Sequence, residues 1–497
     1  MKRVTLFLII IFSLPFLFIQ TSEAIRIGRG SPEFRAIGGV SMGGYGAMNI
    51  GLSHPGLFKT IAGLGGPLDM DYLLKSIEVD MLGDYDNPDP YPNRDTLLDM
   101  IKDLSISFGN PVYYNPESTY YPPGVTNENA RKTTVLLNFK DGTYNPDGTL
   151  PVITFTDPGP FDWVEVLLGL DTNKNNKLDW LKAEPVIRQF HEPFADLNEN
   201  GMYDEGEPFN DFGLDGVDGT DDLGEGDRLF TYNPHRANYL AQDPFTHAAT
   251  MELTALQDLN LYIDAGTTDE FQFNIHAENF VDMVDSRGLL FRIENDFPED
   301  FPRVSHFNEQ RVYVRYPGGH VGFDKENIGL SFARAKRGIR EAITVANRFT
   351  TLFAFVSDHW PGGDYDTDPY ELWRYPSKMG VTFFRNPSLG GKVMRFGIYL
   401  PPGYFRSKTK YYPVLYLLGG YNMSIAGLAN SYLKSALDLM ILSGELQKMI
   451  IVIPEGMNYK NHRGHFFVNQ IDLERGDRFM DFFFDLVTYI DDHLQTK

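Results

Sequence analysis

Ser41, Asp269 and His320 are the residue types of nucleophilic acyl transfer, and they occur in the order nucleophile, acid, base. Ser41 lies in Gly39-Val40-Ser41-Met42-Gly43, a Gly-x-Ser-x-Gly pattern between the apolar run Arg35-Ala36-Ile37 and the helix-forming stretch Tyr45-Gly46-Ala47-Met48-Asn49-Ile50. A strand that breaks at this pattern and restarts as a helix turns so tightly that the flanking positions must lack side chains. The turn lifts the serine hydroxyl above the sheet, at a helix N-terminus that stabilises developing negative charge. A glycine-rich turn with a chance serine is the alternative. Two further segments weigh against it. Leu259-Asn260-Leu261-Tyr262-Ile263 reads as a buried strand running into Asp264-Ala265-Gly266-Thr267-Thr268-Asp269, and Arg311–Tyr316 as another running into Pro317-Gly318-Gly319-His320. Each places an ionisable residue just past a strand's C-terminal end, where open α/β sheets build their sites. In that arrangement His320 takes the proton from Ser41, while Asp269 fixes the imidazole tautomer and stabilises its cation. Asp264 and Glu270 are rival acids. Asp264 comes too early, at the strand end, and Glu270 is expected to point to the other side.

The segments Gly38-Gly39-Val40-Ser41-Met42-Gly43-Gly44-Tyr45-Gly46-Ala47-Met48 and Ser53-His54-Pro55-Gly56-Leu57-Phe58 resemble the esterase D family. That family includes S-formylglutathione hydrolases, feruloyl and acetyl-xylan esterases, enterochelin esterases and acyltransferases. Gly266-Thr267-Thr268-Asp269 and Gly318-Gly319-His320-Val321-Gly322-Phe323 resemble its acid and histidine segments. The resemblance implies an α/β-hydrolase fold, a mostly parallel sheet with flanking helices, and gives His54 no catalytic role.

The family's opening segments stand at the far end of the chain. Met394–Tyr404 resembles the first core strand and its turn, Tyr412–Tyr421 the strand leading to the oxyanion loop, and Met449–Gly456 the next strand. Phe479–His493 resembles the helix that normally leads into the nucleophile strand, which here lies at Arg35–Val40. A circularly permuted domain with new termini in a helix-to-strand loop is the expectation, since exposed loops tolerate such cuts. Two half-domains from a tandem duplication, or an error in the gene model, would give the same pattern. Met42 N–H is the expected first oxyanion donor. Gly420 or Tyr421 is the second, because Gly419-Gly420 stands where the family usually has His-Gly.

Between the nucleophile segment and the acid strand lies a long acidic insertion. Asp196-Leu197-Asn198-Glu199-Asn200-Gly201-Met202-Tyr203-Asp204-Glu205-Gly206-Glu207 fits a calcium loop. Its candidate ligands are Asp196, Asn198, Asn200, the Met202 carbonyl, Asp204 and Glu207, with glycine at the sharp turn. A solvated acidic loop is the plainer reading. A weaker copy offers Asp171, Asn173, Asn175 and Asp179, but Asn176 replaces the glycine and Lys182 takes the last ligand position. No Lys or Arg occurs from Asp196 to Asp227 until Arg228, so this run is either ordered by calcium or disordered. Calcium is expected to be structural, and no organic cofactor is indicated.

The 497 residues divide into a leader at 1–24, a nucleophile part at 25–70 and the insertion or lid at 71–253. An acid and histidine part at 254–341, a linker joining the old termini at 342–378, and the oxyanion half at 379–497 complete the chain. Lys2-Arg3, the apolar stretch from Val4 to Ile19 and Ser22-Glu23-Ala24 read as a cleavable signal peptide, too short to span a membrane. No cysteine is present, which removes disulfides, thiol nucleophiles and thiolate metal sites. The net charge of −23 argues against nucleic acid and anionic membranes as partners. Together these features point to a secreted or periplasmic serine esterase of carboxylic esters, with no stable membrane anchor. Feruloyl or acetyl esters of polysaccharides are the expected substrates. An acyltransferase of the same family, or a non-catalytic calcium-dependent binding protein on a hydrolase scaffold, are the alternatives.

Overall fold

The computed structural model describes residues 30–77, 103–104, 106–109, 191–198, 202–214, 219, 223–295, 306–320, 346–365, 368–406, 408–421, 423–425, 433–458, 464–472 and 476–497. The expected leader at 1–24, the weaker loop bearing Asp171, Asn173, Asn175 and Asp179, and Asn200 lie outside the described residues.

Among the described residues nine strands form one sheet: β1 (Arg35–Val40), β2 (Thr60–Leu64), β3 (Asn260–Gly266), β4 (Arg292–Glu294), β5 (Arg311–Tyr316), β6 (Lys378–Asn386), β7 (Lys392–Leu400), β8 (Val414–Leu418) and β9 (Ile450–Pro454). Their order is β4-β5-β3-β2-β1-β8-β9-β7-β6. From β4 to β9 neighbours are parallel, and β7 runs antiparallel to both β9 and β6. The sequence explains the division. Ile-Ile-Val-Ile in β9 and Val-Leu-Tyr-Leu-Leu in β8 are continuous apolar runs, as strands covered on both faces require, and every residue of both is buried. Edge strand β6 instead alternates Phe384 with exposed Phe383 and Arg385.

Two hydrophobic cores flank the sheet, and alternate residues of one strand feed opposite sides. Leu261 and Ile263 pack with Tyr45, Phe280 and Phe483, while Tyr262 packs with Leu352, Phe355 and Leu437. One side is covered by the helices Met42–Ser53, Phe273–Ser286 and Phe479–His493, the other by helical residues 346–358 and the helix Leu433–Leu442. The segment expected as a linker at 342–378 therefore contains a core helix. Leu352, Phe353, Ala354, Phe355 and Val356 are all fully buried, so this apolar run belongs to the sheet-facing layer. Among the described residues after that helix are the stretch Pro361-Gly362-Gly363 and a short helix, Pro369–Arg374.

The two ends of the described chain meet. Ser31 N–H donates to Lys497 O at 2.8 Å, and Tyr412 exchanges main-chain hydrogen bonds with Gln495 and Lys497. Buried Arg35, at the start of β1, pairs with buried Asp491 in the last turn of the helix Phe479–His493 at 2.6 Å. No helix among the described residues is long and apolar enough to cross a membrane.

Candidate active site

Ser41 sits at the turn between β1 and the helix Met42–Ser53, with φ 57° and ψ −124°. A non-glycine residue at positive φ is strained and persists only where its surroundings over-determine it. Here the glycines do so. A Cβ on Gly39 would collide with the Gly43 carbonyl and come within 2.8 Å of Leu418 O. A Cβ on Gly43 would stand 2.5 Å from Gly419 O. Strand, helix and the loop after β8 thus approach one another through main chain alone. Ser41 N–H donates to Leu64 O at 2.7 Å, tying the turn to β2.

Three loops at the C-terminal ends of parallel strands converge on Ser41. His320 follows β5, and its Nε2 lies 2.9 Å from Ser41 Oγ. Asp269 follows β3, and its Oδ2 lies 2.9 Å from His320 Nδ1. The Asp269 side chain is fully buried and also accepts the Phe271 N–H at 2.9 Å, which aims the carboxylate. The rims of Phe271 and Phe273 approach the imidazole edge-on, each with ring centroids 5.2 Å away. The structure brings Ser41, His320 and Asp269 into one hydrogen-bonded line.

The two rival acids have other partners. Strand β3 runs on to Gly266, so Asp264 lies within it, fully buried, and is bound by the Arg348 guanidinium. Glu270 does not point to the other side, as its spacing suggests. Its Oε2 accepts the main-chain N–H of His320 at 2.9 Å. The loop from Gly266 to Gln272 curls beneath His320, so consecutive carboxylates reach it from two directions.

The loop after β8 forms the opposite wall. Gly420 lies against Ser41, such that a Cβ there would be 3.5 Å from Ser41 Cβ. The Tyr421 hydroxyl donates to Asp103 Oδ2 at 2.5 Å. Asp103 and Leu104 belong to the expected insertion, so part of that insertion is built into the site. Ser41, Met42, His320, Gly420 and Tyr421 all border a cavity of about 400 Å³. Its remaining wall is largely apolar, with Leu73, Leu104, Phe271, Phe273, Phe349 and Met423.

The expected calcium loop lies apart from this cavity. Buried Glu207 closes it by accepting the Leu197 N–H at 2.8 Å and the Asp204 N–H at 2.9 Å. Asn198 Nδ2 donates to Asp204 Oδ2 at 2.7 Å, and Asp196 and Met202 lie in the same loop. The described residues hold no group of three or more His, Asp or Glu side chains arranged for a metal ion. The residues present bring three carboxylates, an amide and the Met202 carbonyl, the hard oxygen donors that suit calcium. Beside the loop, Phe194, Tyr203, Phe209 and Phe230 pack together, with Tyr203 and Phe230 stacked at 3.8 Å.

Sequence reasoning missed Arg348. Its Nη2 lies 2.7 Å from Asp264 Oδ1, and its Nη1 donates to the His320 carbonyl at 3.0 Å. Burial works to lower the Arg348 pKa, but the adjacent Asp264 carboxylate more than offsets this and raises it above the usual guanidinium value. A single charged residue before the run Thr350–Val356 was the only available signal.

A ferulic acid esterase is 24% identical over 24% of this chain and 46% of its own, with a TM-score of 0.22. A feruloyl esterase module from Clostridium thermocellum, a serine-to-alanine variant complexed with sinapinate, is 23% identical over 19% of this chain and 30% of its own, with a TM-score of 0.14. The match thus spans less than half the length of either esterase. A PHB depolymerase complexed with an R3HB trimer is 10% identical over 95% of this chain and 100% of its own, with a TM-score of 0.37. No curated protein matches. A family model matches in two blocks, residues 26–305 and 387–484, which together cover well over half of the chain. The chain belongs to the family described as "Putative esterase".

Proposed function

We propose that this chain is a serine esterase that cleaves carboxylic esters through an acyl-enzyme. The observation that carries this reading is the line Ser41–His320–Asp269, with 2.9 Å at each step, bordering an apolar cavity. Ser41 Oγ attacks the ester carbonyl carbon as His320 Nε2 takes its proton. Asp269 accepts from Nδ1–H, holding the tautomer and stabilising the imidazolium. The oxyanion is met by Met42 N–H, with Gly420 or Tyr421 N–H as second donor. His320 returns the proton to the departing alcohol. It then deprotonates a water, which attacks the acyl carbon, and as the bond to Ser41 Oγ breaks His320 gives Oγ that proton, releasing the acid and free Ser41.

The apolar wall suits an uncharged acyl group, and feruloyl or acetyl esters of polysaccharides are the proposed substrates. The leader ending at Ala24 is the proposed route of export. A circular permutation accounts for three observations at once: β8 pairs beside β1, the family model matches in two blocks, and Ser31 bonds to Lys497. Asp196, Asn198, Asn200, Met202, Asp204 and Glu207 are proposed to hold a structural calcium ion. The weaker loop with Asp171, Asn173, Asn175 and Asp179 is proposed as a second site.

The test is hydrolysis of p-nitrophenyl acetate and methyl ferulate by the parent and by Ser41→Ala. Activity in the parent that is lost in Ser41→Ala is expected. A folded parent that cleaves neither ester and does not react with a fluorophosphonate at Ser41 would overturn the proposal.

A further inference from the structure

Arg348 and Asp264 form a pair that the acyl-enzyme chemistry does not use. Both side chains are almost wholly buried, at 3% and 0% exposure. Two guanidinium nitrogens face the carboxylate, with Nε 3.1 Å from both oxygens and Nη2 2.7 Å from Oδ1. Stability alone is a weak reason for such a pair, since a well-packed apolar replacement of a buried ion pair is often neutral or stabilising. The remaining nitrogen gives a better one. Nη1 is turned to the main-chain carbonyl of His320, at 3.0 Å.

That carbonyl belongs to a glycine-rich loop. His320 follows Gly318 and Gly319, and such a segment has little intrinsic stiffness. Contacts to its main chain hold it, among them the Tyr316 hydroxyl on Gly319 O at 3.4 Å. The Thr268 N–H donates to Gly318 O at 3.0 Å, and the Tyr316 hydroxyl lies 3.3 Å from His320 O. Glu270 accepts the His320 N–H at 2.9 Å, and Arg348 meets the His320 carbonyl. Of these main-chain contacts, the one from Arg348 comes from outside β3, β5 and the loops that follow them, and its position is set by a carboxylate inside the sheet. A Cβ on Gly65 would lie 2.8 Å from Arg348 Nη2 and 3.7 Å from the His320 ring. The guanidinium therefore passes through a gap that glycine leaves open beside the imidazole.

We propose that Arg348 is a positioning residue: anchored by Asp264, it fixes the His320 carbonyl and thereby keeps the imidazole in line with Ser41 and Asp269. The inference builds on the esterase reading, in which His320 is the base. It also makes a claim about His320 geometry that can be read without any substrate.

The experiment compares the full chain with Arg348→Lys and with the paired Asp264→Asn, Arg348→Met variant, which leaves no unpaired buried charge. The readouts are the far-downfield Nδ1 proton resonance of His320 (assigned by its loss in His320→Ala), kcat and KM for p-nitrophenyl acetate, and the melting temperature. A displacement near 1 Å can cost about 10²-fold in rate. A kcat loss of about 10- to 10²-fold at nearly constant KM is therefore expected. The resonance should be broadened or absent while the melting curve remains cooperative. If either folded variant keeps both the parental resonance and the parental kcat, the proposal is overturned. It is also overturned if the parent lacks the resonance. A parent that shows the resonance, with loss in the variants, but cleaves no ester would support the positioning role and refute the esterase reading.

Discussion

Gly43→Ala is the most stringent test of the turn that presents Ser41. The added Cβ would stand 2.5 Å from Gly419 O and 2.6 Å from the Leu418 carbonyl carbon. Real Cβ contacts essentially never fall under 3.0 Å, so the two segments must separate by at least 0.5 Å, the difference between 3.0 and 2.5. Both partners are main chain, so no flexible side chain can absorb the shift. On one side is the first turn of the helix Met42–Ser53; on the other, the loop carrying Gly420. Opening this contact moves the proposed second oxyanion donor away from Ser41. Overpacking costs about 1–3 kcal/mol in stability, and loss of one oxyanion donor costs about 10²–10³ in kcat. The assay is kcat and KM for p-nitrophenyl acetate at 25 °C, as a chosen condition, with thermal unfolding of the same preparation. Gly380→Ala is the control: a Cβ there meets nothing within 4 Å, so it should alter stability by less than about 0.5 kcal/mol. A Gly43→Ala protein with kcat within threefold of the parent (about 0.7 kcal/mol on the barrier) and an unchanged melting temperature would refute the reasoning.

Arg35→Ala should destabilise the fold by about 3–5 kcal/mol in urea unfolding, because it leaves the Asp491 carboxylate buried without its cation. A loss below about 1 kcal/mol would mean that the junction between β1 and the helix Phe479–His493 does not depend on this pair. His276 is fully buried, and burial lowers its pKa from 6.5 to about 3. Below pH 6.5 the unfolded chain takes up a proton that the folded chain refuses, so this contribution is present above 6.5 and is lost as pH falls toward 3. Between pH 6.5 and about 4 it amounts to about 3 kcal/mol, and His276→Asn should flatten the unfolding profile over that range. Removal of calcium with EGTA should lower the parent's melting temperature by more than that of Asp204→Ala, which lacks a ligand of the stronger loop. Equal behaviour of the two proteins would argue against the loop from Asp196 to Glu207 as the calcium site.

The candidate site was legible because its placement rests on local rules. Gly39 and Gly43 flank Ser41 since only glycine survives main-chain contacts that close, and this requirement is written into the sequence as a pattern. His320 and Asp269 were readable for a related reason: each follows an apolar strand through a short loop, and parallel strands deliver their C-terminal ends to one edge. The strands β1 and β5 were plain from their own residues, and β9 and the helix Phe479–His493 followed from the family resemblance. β6 was not, because an edge strand with one solvated face has a weaker pattern and Phe383 on the exposed side blurs its alternation. Nor was the helix at 346–358, whose unbroken apolar core reads the same as a buried strand.

What the sequence determined by itself is the candidate set Ser41, Asp269 and His320 and the turn that displays Ser41, because both depend on neighbours in the chain. What only the tertiary structure decided is what the two rival carboxylates do. Asp264, Asp269 and Glu270 lie within seven positions of one another, and their order favours Asp269 beside the imidazole without saying what the other two meet. The fold gives Asp264 to Arg348, Asp269 to the imidazole and Glu270 to the main chain of His320. These assignments depend on β5 lying beside β3 and on the helix bearing Arg348 packing beneath them, contacts that span up to 84 residues of chain and leave no local trace.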